Sequence, residues 1–564
     1  MKEHRILIGV AWPYADGPLH LGHIAGAYLP ADIFARYHRA KGNQVLMVSG
    51  SDQHGTPITI KAEQAGKTPA EIATRYHQQF LDSWQKLGIL FDLFTATGTE
   101  NHAQVTQDIF LTLLKKGYIY RDTVSQPFCP QCKRFLADRY VEGTCPYCRA
   151  SGARGDQCDA CGKPLNAAEL IDYQCRLCGT TPQFQDSEHF FLKLSAFEDR
   201  LLTWVKDKSY WRQNVLNFTR RYLEDGLRDR AITRDIGWGI PIPVKGFESK
   251  RIYVWFEAVI GYLSASKEWA KSSGDEEGWR QFWQGEVKSY YFIGKDNIPF
   301  HTIIWPAMLM GYDDKLNLPY DVPANEFLTI EGSKLSTSRN WAVWVPDYLS
   351  RYDPDPLRYL LSINMPETGD ADFSWREFIR RNNDELVATY GNLVNRVLTF
   401  VYKNFEGCVP TYDDIDGRGN KLINMADSVF NTIFADNGLL YNCNFKQALK
   451  MAMTVAQETN RYLDEKSPWK IIKEDQPAAA NSLYVALGII SRLKTMLYPF
   501  LPFSSQKVHE YLGFEGKVED YAQKKPLQSL PEPGQRLQKP QPLFAKLDAA
   551  LVEEETARLG SAGD

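Results

Sequence analysis

Arg5-Ile6-Leu7-Ile8-Gly9-Val10 stands near the start of the chain, followed by a loop with Pro13, Gly17 and Pro18 and then by His20-Leu21-Gly22-His23. The opening run is apolar at nearly every position, which suits a strand buried on both faces. From about Gly22 to Lys41 the pattern is helical, and Gln44 to Gly50 reads as a second strand. Strand, helix and strand at these lengths make a βαβ unit. It starts a parallel sheet whose ligands gather at the strand C-termini. The expected fold is α/β, a Rossmann-like doubly wound parallel sheet.

His20-Leu21-Gly22-His23 aims two imidazoles and a helix N-terminus at one spot, an arrangement that favours anions. Taken alone it equally describes a helix start with surface histidines. Far downstream, Lys334-Leu335-Ser336-Thr337-Ser338 is a small, hydroxyl-rich loop carrying a lysine. Both motifs suit a polyphosphate held while its α-phosphorus is attacked. In this order they point to an enzyme that activates a carboxylate with ATP.

The 564 residues allow three or more domains, and 44% hydrophobic composition indicates a globular chain. A net charge of −4 and a pI near 6.3 argue against a protein that coats nucleic acid by charge. They leave room for an RNA partner read by stacking and local basic faces. No run of eighteen apolar residues is present, so no membrane span is expected. With the first strand starting near Arg5 there is no space for a targeting segment, and a cytoplasmic location is expected.

From about Gly117 to Gly226 the periodicity breaks. Here lie four CxxC pairs: Cys129/Cys132, Cys145/Cys148, Cys158/Cys161 and Cys175/Cys178. A disulfide framework is the alternative reading, a poor fit for an intracellular chain of this size. Each CxxC can turn two thiolates to one metal, and two such knuckles complete a tetrahedral four-cysteine zinc site. Nearby Pro130, Pro146, Gly162 and Gly179 suit tight turns. A nested grouping is expected, inner four together and outer four together, giving one or two structural zinc ions; other pairings stay open. Cys408 and Cys443 stand alone and read as small buried hydrophobes.

This segment reads as an insertion, after which the sheet is expected to resume. Arg251 to Trp255 reads as a strand leading into a helical run to about Lys271. Ser289 to Ile293 reads as another, ending in Gly294-Lys295-Asp296 before a helix through His301 and Trp305. Beyond Trp375 the chain turns helical. Leu386, Tyr390, Leu393, Val397 and Phe400 form one apolar stripe; Phe445, Leu449, Ala452, Val455 and Thr459 a second; Leu483, Leu487, Ile490, Leu493 and Leu497 a third. They predict a helical bundle. Residues 526–543, rich in Pro and Gln, read as a linker or strap, and the last dozen residues as disordered.

These residues resemble the signature pair of class I aminoacyl-tRNA synthetases, usually written HIGH and KMSKS. Within that class the resemblance is to the methionyl family and runs to about residue 510. It includes Ala11-Trp12-Pro13-Tyr14, Ser51-Asp52-Gln53-His54-Gly55-Thr56-Pro57, Tyr253-Val254-Trp255-Phe256-Glu257-Ala258 and Phe292-Ile293-Gly294-Lys295-Asp296. Phe300-His301, Trp305-Pro306-Ala307 and the knuckle insertion extend it. The resemblance implies two steps: L-methionine and ATP, taken with Mg, give methionyl-adenylate, and the methionyl group passes to the terminal ribose of tRNA(Met).

It also implies roles. His20, His23 and Lys334 would act in catalysis, and ATP would be held by these with Gly294, Asp296, Ser336, Thr337 and Ser338. Methionine would be held by Ala11, Trp12, Tyr14, Trp255, Ala258, Tyr262, Phe300, His301 and Trp305, with Asp52 for its ammonium. His301 and Tyr14 are expected to add polar selection near the sulfur. Asn392, Arg396 and Trp469 would meet the CAU anticodon, with Ser467-Pro468 capping a helix that presents Trp469. The chain departs from the family at three points. Thr337 replaces the second signature lysine, leaving Arg339 or the hydroxyls to compensate; Trp12 replaces a common aliphatic residue; Val259 replaces a frequent proline.

The expected division is 1–117 and 227–325 for the halves of the catalytic domain, 118–226 for the insertion, 326–375 for the signature loop and stem-contact region, 376–515 for the bundle and 516–564 for a linker and tail. With no appended dimerisation module in view, a monomer is expected. Three competitors remain at this point: a synthetase for another amino acid, a nucleotidyltransferase sharing only HxGH, and a non-catalytic zinc-knuckle RNA-binding protein.

Overall fold

The computed structural model describes residues 4–136, 140–155, 158, 160–161, 165, 167–520 and 530–561. Its centre is a five-stranded parallel sheet of β1 (Arg5–Val10), β2 (Gln44–Ser51), β3 (Leu93–Ala96), β4 (Val287–Gly294) and β5 (Ala324–Asn325). The spatial order is β5-β4-β1-β2-β3, so the winding reverses between β1 and β4. A crevice opens beyond the C-termini of strands at such a reversal, and loops from both sides empty into it.

The apolar run of β1 is explained by burial on two faces. Ile6, Ile8 and Val10 join Met47, Tyr290 and Phe292 in one core; Leu7 joins Leu46, Val48, Tyr291 and Ile293 in the other. The first core continues without a break into the C-terminal bundle through Leu386, Leu393, Leu449 and Leu487. All three stripes face inward, with Phe400 only half-buried at the edge of the first.

Leu21–His23 starts an α-turn, Ile24–Tyr28 widens to a π-helix, and Leu29–Ala40 resumes as α-helix. Pro30 lacks an N–H and cannot complete the ladder, which accounts for the widened turn just before it. The same sequence of turns recurs after β4, with a π stretch Phe300–Ile304 preceding Pro306. Two expectations need correction. The strand is only Arg251–Ile252, pairing antiparallel with Thr233–Arg234 outside the central sheet. The N–H of Tyr253 goes to the Ile232 carbonyl, 2.9 Å, and Val254–Glu257 is already helix. The tail, expected to be disordered, forms the helix Leu551–Arg558 with Glu555 buried.

The insertion between β3 and β4 is built on the long antiparallel pair Ile119–Cys129 and Gln183–Leu192, with the knuckles at its far end. Of the strap, residues 526–529 lie outside the described residues. It contributes Leu537 and Leu543, with Phe544 just beyond it, to the core shared by sheet and bundle.

Candidate active site

Asp52 follows β2 and is almost fully buried. Its main chain is stitched to the loop after β1: Asp52 N–H donates to Pro13 O and Ala15 N–H to Asp52 O, both 2.8 Å. One carboxylate oxygen accepts from the His54 N–H at 3.3 Å. The His54 ring pairs at 2.8 Å with Glu257, whose second oxygen is buried and makes no hydrogen bond. Burial, with the Glu257 carboxylate behind it, pushes the Asp52 carboxyl well above the usual carboxylate range. His54 and Glu257 stand inside quoted motifs, yet nothing local in sequence shows that they meet.

A cavity of about 80 Å³ is lined by Ala11, Trp12, Tyr14, Asp52, Trp255 and Ala258, together with Val259, Tyr262, Asn297, Phe300 and His301. It collects nearly all the residues that the resemblance assigned to methionine. Trp305 is not on its wall. That indole lies fully buried behind Tyr291, donating Nε1–H to its hydroxyl at 3.2 Å. Asn297 is the lining residue that sequence reasoning missed; its place directly after Gly294-Lys295-Asp296 was the available clue. Trp12 fits because two glycines clear space for it. A Cβ on Gly50 would come within 2.4 Å of the indole and one on Gly261 within 2.6 Å. The Trp12 Nε1–H is buried and has no acceptor.

At one wall of the cavity His301 is fully engaged. Nδ1 donates to Asn297 O at 2.9 Å, which fixes the tautomer and makes Nε2 the acceptor of the Tyr262 hydroxyl at 2.7 Å. Burial holds the His301 pKa at about 4, so the ring is neutral at physiological pH. Tyr14 accepts from Trp255 Nε1 at 3.2 Å.

The signature motifs converge beside this cavity. His20 and His23 stack with ring centroids 3.8 Å apart, and His23 Nδ1 accepts from the His20 N–H at 3.2 Å. Burial lowers His20 to about 4; burial, then the neighbouring His20, lowers His23 further below its ordinary range. Both are neutral donors rather than cations. The downstream loop lies against them: Leu335 covers Gly22 so closely that a Cβ there would be 2.6 Å from its methyl. Leu21 N–H donates to Val343 O at 3.1 Å, and the Trp344 ring flanks His20 at 6.0 Å. Lys334 and Thr337 are exposed, and Arg339 folds back to donate to the Ser336 hydroxyl at 3.2 Å. The Ser338 side chain lies outside the described residues. Gly294 and Asp296 close β4, the carboxylate leaning over the glycine where a Cβ would meet it at 2.8 Å.

The thiolates group as the sequence suggested: Cys129, Cys132, Cys175 and Cys178 in one cluster, Cys145, Cys148, Cys158 and Cys161 in another. The four sulfurs of each cluster lie within 4.8 Å of one another, from 3.4 Å for Cys129 and Cys178 upward. That brackets the roughly 3.8 Å edge of a zinc tetrahedron with 2.3 Å bonds. The residue after the second cysteine adopts positive φ in three knuckles, at Lys133, Arg149 and Gly179, while Gly162 lies outside the described residues. Both clusters fit structural zinc.

In the bundle, Asn392 is exposed and Arg396 lays its guanidinium 4.1 Å over the half-buried Trp469 ring while reaching Asp464 at 3.4 Å. Pro468 does open the short helix Pro468–Ile471, and Ser467 stands at its N-cap, its carbonyl accepting from the Lys470 N–H at 2.8 Å, but its side chain makes no capping bond. Ser467 sits in the left-handed region and donates its hydroxyl back to Asp464 O at 2.8 Å.

A parallel sheet with HLGH and a lysine-bearing loop meeting at its reversal point defines a class I aminoacyl-tRNA synthetase, and residues 6–398 match the model of class I tRNA synthetases (M). Residues 410–564 match the anticodon-binding domain of methionyl-tRNA ligase. The chain is 63% identical to the methionine–tRNA ligase of Dehalococcoides mccartyi (strain 195), over 99% of this chain and 100% of that one. It is 54% identical to that of Thermomicrobium roseum, over 98% of each. It also resembles the solved Mycobacterium tuberculosis methionyl-tRNA synthetase in complex with methionyl-adenylate, with a TM-score of 0.80 and 25% identity over 96% of this chain and 100% of that one. The chain belongs to the methionyl-tRNA synthetase family.

Proposed function

We propose that the chain activates L-methionine with ATP, taken as its magnesium complex, and transfers the methionyl group to the 3′-terminal ribose of tRNA(Met). The supporting observation is the convergence of HLGH and the Lys334 loop beside an aromatic cavity whose one buried lining carboxylate is Asp52. In this reading the substrate ammonium pairs with Asp52 and draws it to the ionised form. The thioether rests among Trp12, Tyr262, Phe300 and His301, where polarisable sulfur meets ring edges. Tyr262 and His301, neutral and bonded to each other, leave no charged group to welcome a polar side chain.

ATP lies across the sheet reversal, its ribose near Gly294 and Asp296. His20 and His23 donate neutral N–H groups to phosphate oxygens, and Lys334 with Mg supplies the positive charge that those histidines do not. Ser336, Thr337 and Ser338 add hydroxyl donors, and Arg339, on the same turn, stands in for the absent signature lysine. Nucleophilic attack by the methionine carboxylate releases pyrophosphate, and positioning rather than a covalent intermediate lowers the barrier. Each cluster of four cysteines holds one structural zinc. Asn392, Arg396 and Trp469 receive the anticodon, a base taking the indole face that Arg396 now covers. The enzyme works as a cytoplasmic monomer; among the described residues no helix is long and apolar enough to cross a membrane.

The test is ATP–pyrophosphate exchange. Exchange that depends on methionine, exceeds that with leucine or cysteine by at least about a hundredfold, and falls at least tenfold in Lys334→Ala supports the reading. Equal exchange with another amino acid, or none, overturns it.

A further inference from the structure

The last described segment reaches back to the signature loop. Glu555, buried in the helix Leu551–Arg558, accepts from the Arg351 guanidinium and, at 2.8 Å, from the Tyr352 hydroxyl. Leu559 joins the core shared by sheet and bundle. The chain then passes over Trp341, with Gly560 so near the indole that a Cβ would stand 3.4 Å from it. Gly560 N–H donates to Asn340 O at 3.0 Å, and Asn340 Nδ2 donates to Ser561 O at 2.6 Å.

Asn340 ends the turn Thr337–Arg339 and holds positive φ, 51°, a conformation asparagine tolerates better than most residues. Its remaining side-chain atom, Oδ1, accepts from Trp344 Nε1 at 2.7 Å. Trp344 in turn forms a backbone bridge with His20 and flanks its ring. One asparagine therefore joins three parts: the tail, the end of the Lys334 loop, and the tryptophan beside HLGH. The base of the loop is tied by the Ser336–Trp341 backbone pair, by Trp341 Nε1 donating to Ile330 O at 3.0 Å and by Leu335 on Gly22, while at its tip Lys334, Thr337 and Arg339 are exposed. The exposed tip is the part that can open locally, and the tail bonds to its last residue.

We propose that residues 551–561 act as a clamp holding the Lys334 loop against HLGH, with Asn340 and Glu555 as positioning residues for the ATP step. This rests on the adenylate-forming reading above and adds a device for it: a tail far from the substrates sets how often the phosphate-binding lysine is in place.

The experiment compares the full chain with two variants, one ending at Ala550 and one carrying Asn340→Gly, which keeps the left-handed backbone but removes the side-chain bonds. Two readouts are taken: the rate of trypsin cleavage after Lys334 and Arg339, and the exchange kinetics. The clamp predicts cleavage about tenfold faster and exchange kcat about tenfold lower in both variants, with the methionine KM and the unfolding midpoint of Asn340→Gly nearly unchanged. Cleavage and kcat within twofold of the full chain in both variants would overturn it. So would a methionine KM rising in step with a lowered midpoint in Asn340→Gly, the mark of a merely structural contact. If the full chain shows no methionine-dependent exchange, the functional reading fails while the cleavage readout still decides the clamp.

Discussion

Asp52 binds charge where charge is costly. Without a cation it is buried beside Glu257, and the folded chain keeps its proton to higher pH than the unfolded chain does. Stability therefore falls as pH rises above the ordinary carboxyl value of 3.8 and stays low once the folded group has ionised. Asp52→Asn escapes that penalty. At pH 7 it should unfold at a higher temperature than wild type, while kcat/KM for methionine drops about a hundredfold or more because the ammonium loses its buried partner. Calorimetry and exchange on the same preparation check both signs; a variant that is active or less stable contradicts the assignment.

Trp12 offers a second test of cavity shape. Gly261→Ala places a methyl against the indole and should cost about 1–3 kcal/mol of stability and raise the methionine KM. Trp12→Leu should absorb that methyl, so the double variant should recover much of the loss. A double-mutant cycle with coupling below about 0.5 kcal/mol would show that the indole does not fill the gap between the two glycines. Sequence had marked Trp12 as a departure from its family, but not the pair of glycines, 211 positions apart, that make room for it.

The segment that carries the outer cysteine cluster touches the catalytic half directly. Tyr140 O–H and Thr59 Oγ1 lie 3.0 Å apart, and Arg134 pairs with Glu63 at 3.2 Å. Thr59 and Glu63 belong to the helix Thr56–Ala65, which starts just after the Asp52 turn. Loss of the outer metal should therefore loosen the wall behind Asp52, and loss of the inner one should not. Metal analysis is expected to give two zinc ions per chain, falling to one in Cys129→Ser/Cys132→Ser and in Cys145→Ser/Cys148→Ser. The first pair should lower methionine activation at least about tenfold and the second less than about threefold. Equal effects would show that the knuckles act as one unit.

Catalytic sheet and bundle share one core and one buried ionic network. Asp32 accepts from Arg36 at 2.9 Å and Arg358 at 2.7 Å, and Arg358 also donates to the Phe500 and Pro499 carbonyls. Burial alone would raise the Asp32 pKa, but Arg36 and Arg358 hold it below the usual range. Its stabilising effect is present above the ordinary value of 3.8 and lost as pH falls through the lower folded value. Arg358→Met leaves Asp32 with one cation and takes the donor from three carbonyls, those of Phe500, Pro499 and Leu87. It should destabilise the chain by about 3–5 kcal/mol and impair tRNA charging more than exchange, because the bundle would no longer be held at a fixed angle to the sheet. Urea unfolding and the ratio of charging to exchange test this; a proportional fall in both activities would place the effect in the catalytic half alone.

Local chemistry wrote much of this into the chain. Double-faced burial required the apolar run of β1, stripes at helical spacing required a bundle, and CxxC spacing allowed each pair of thiolates to face one metal. The two-residue strand at Arg251 and the ordered tail went unforeseen for the same reason. A short apolar run such as Ile252–Trp255 fits helix or strand equally, and a polar tail is ordered only by what it lands on. His54 with Glu257, 203 positions apart, and Asn340 with Ser561, 221 apart, are pairings that no local period encodes. They, the lowered pKa values of His20, His23 and His301 and the raised one of Asp52 follow from which surfaces exclude water together. That exclusion is a property of the closed fold.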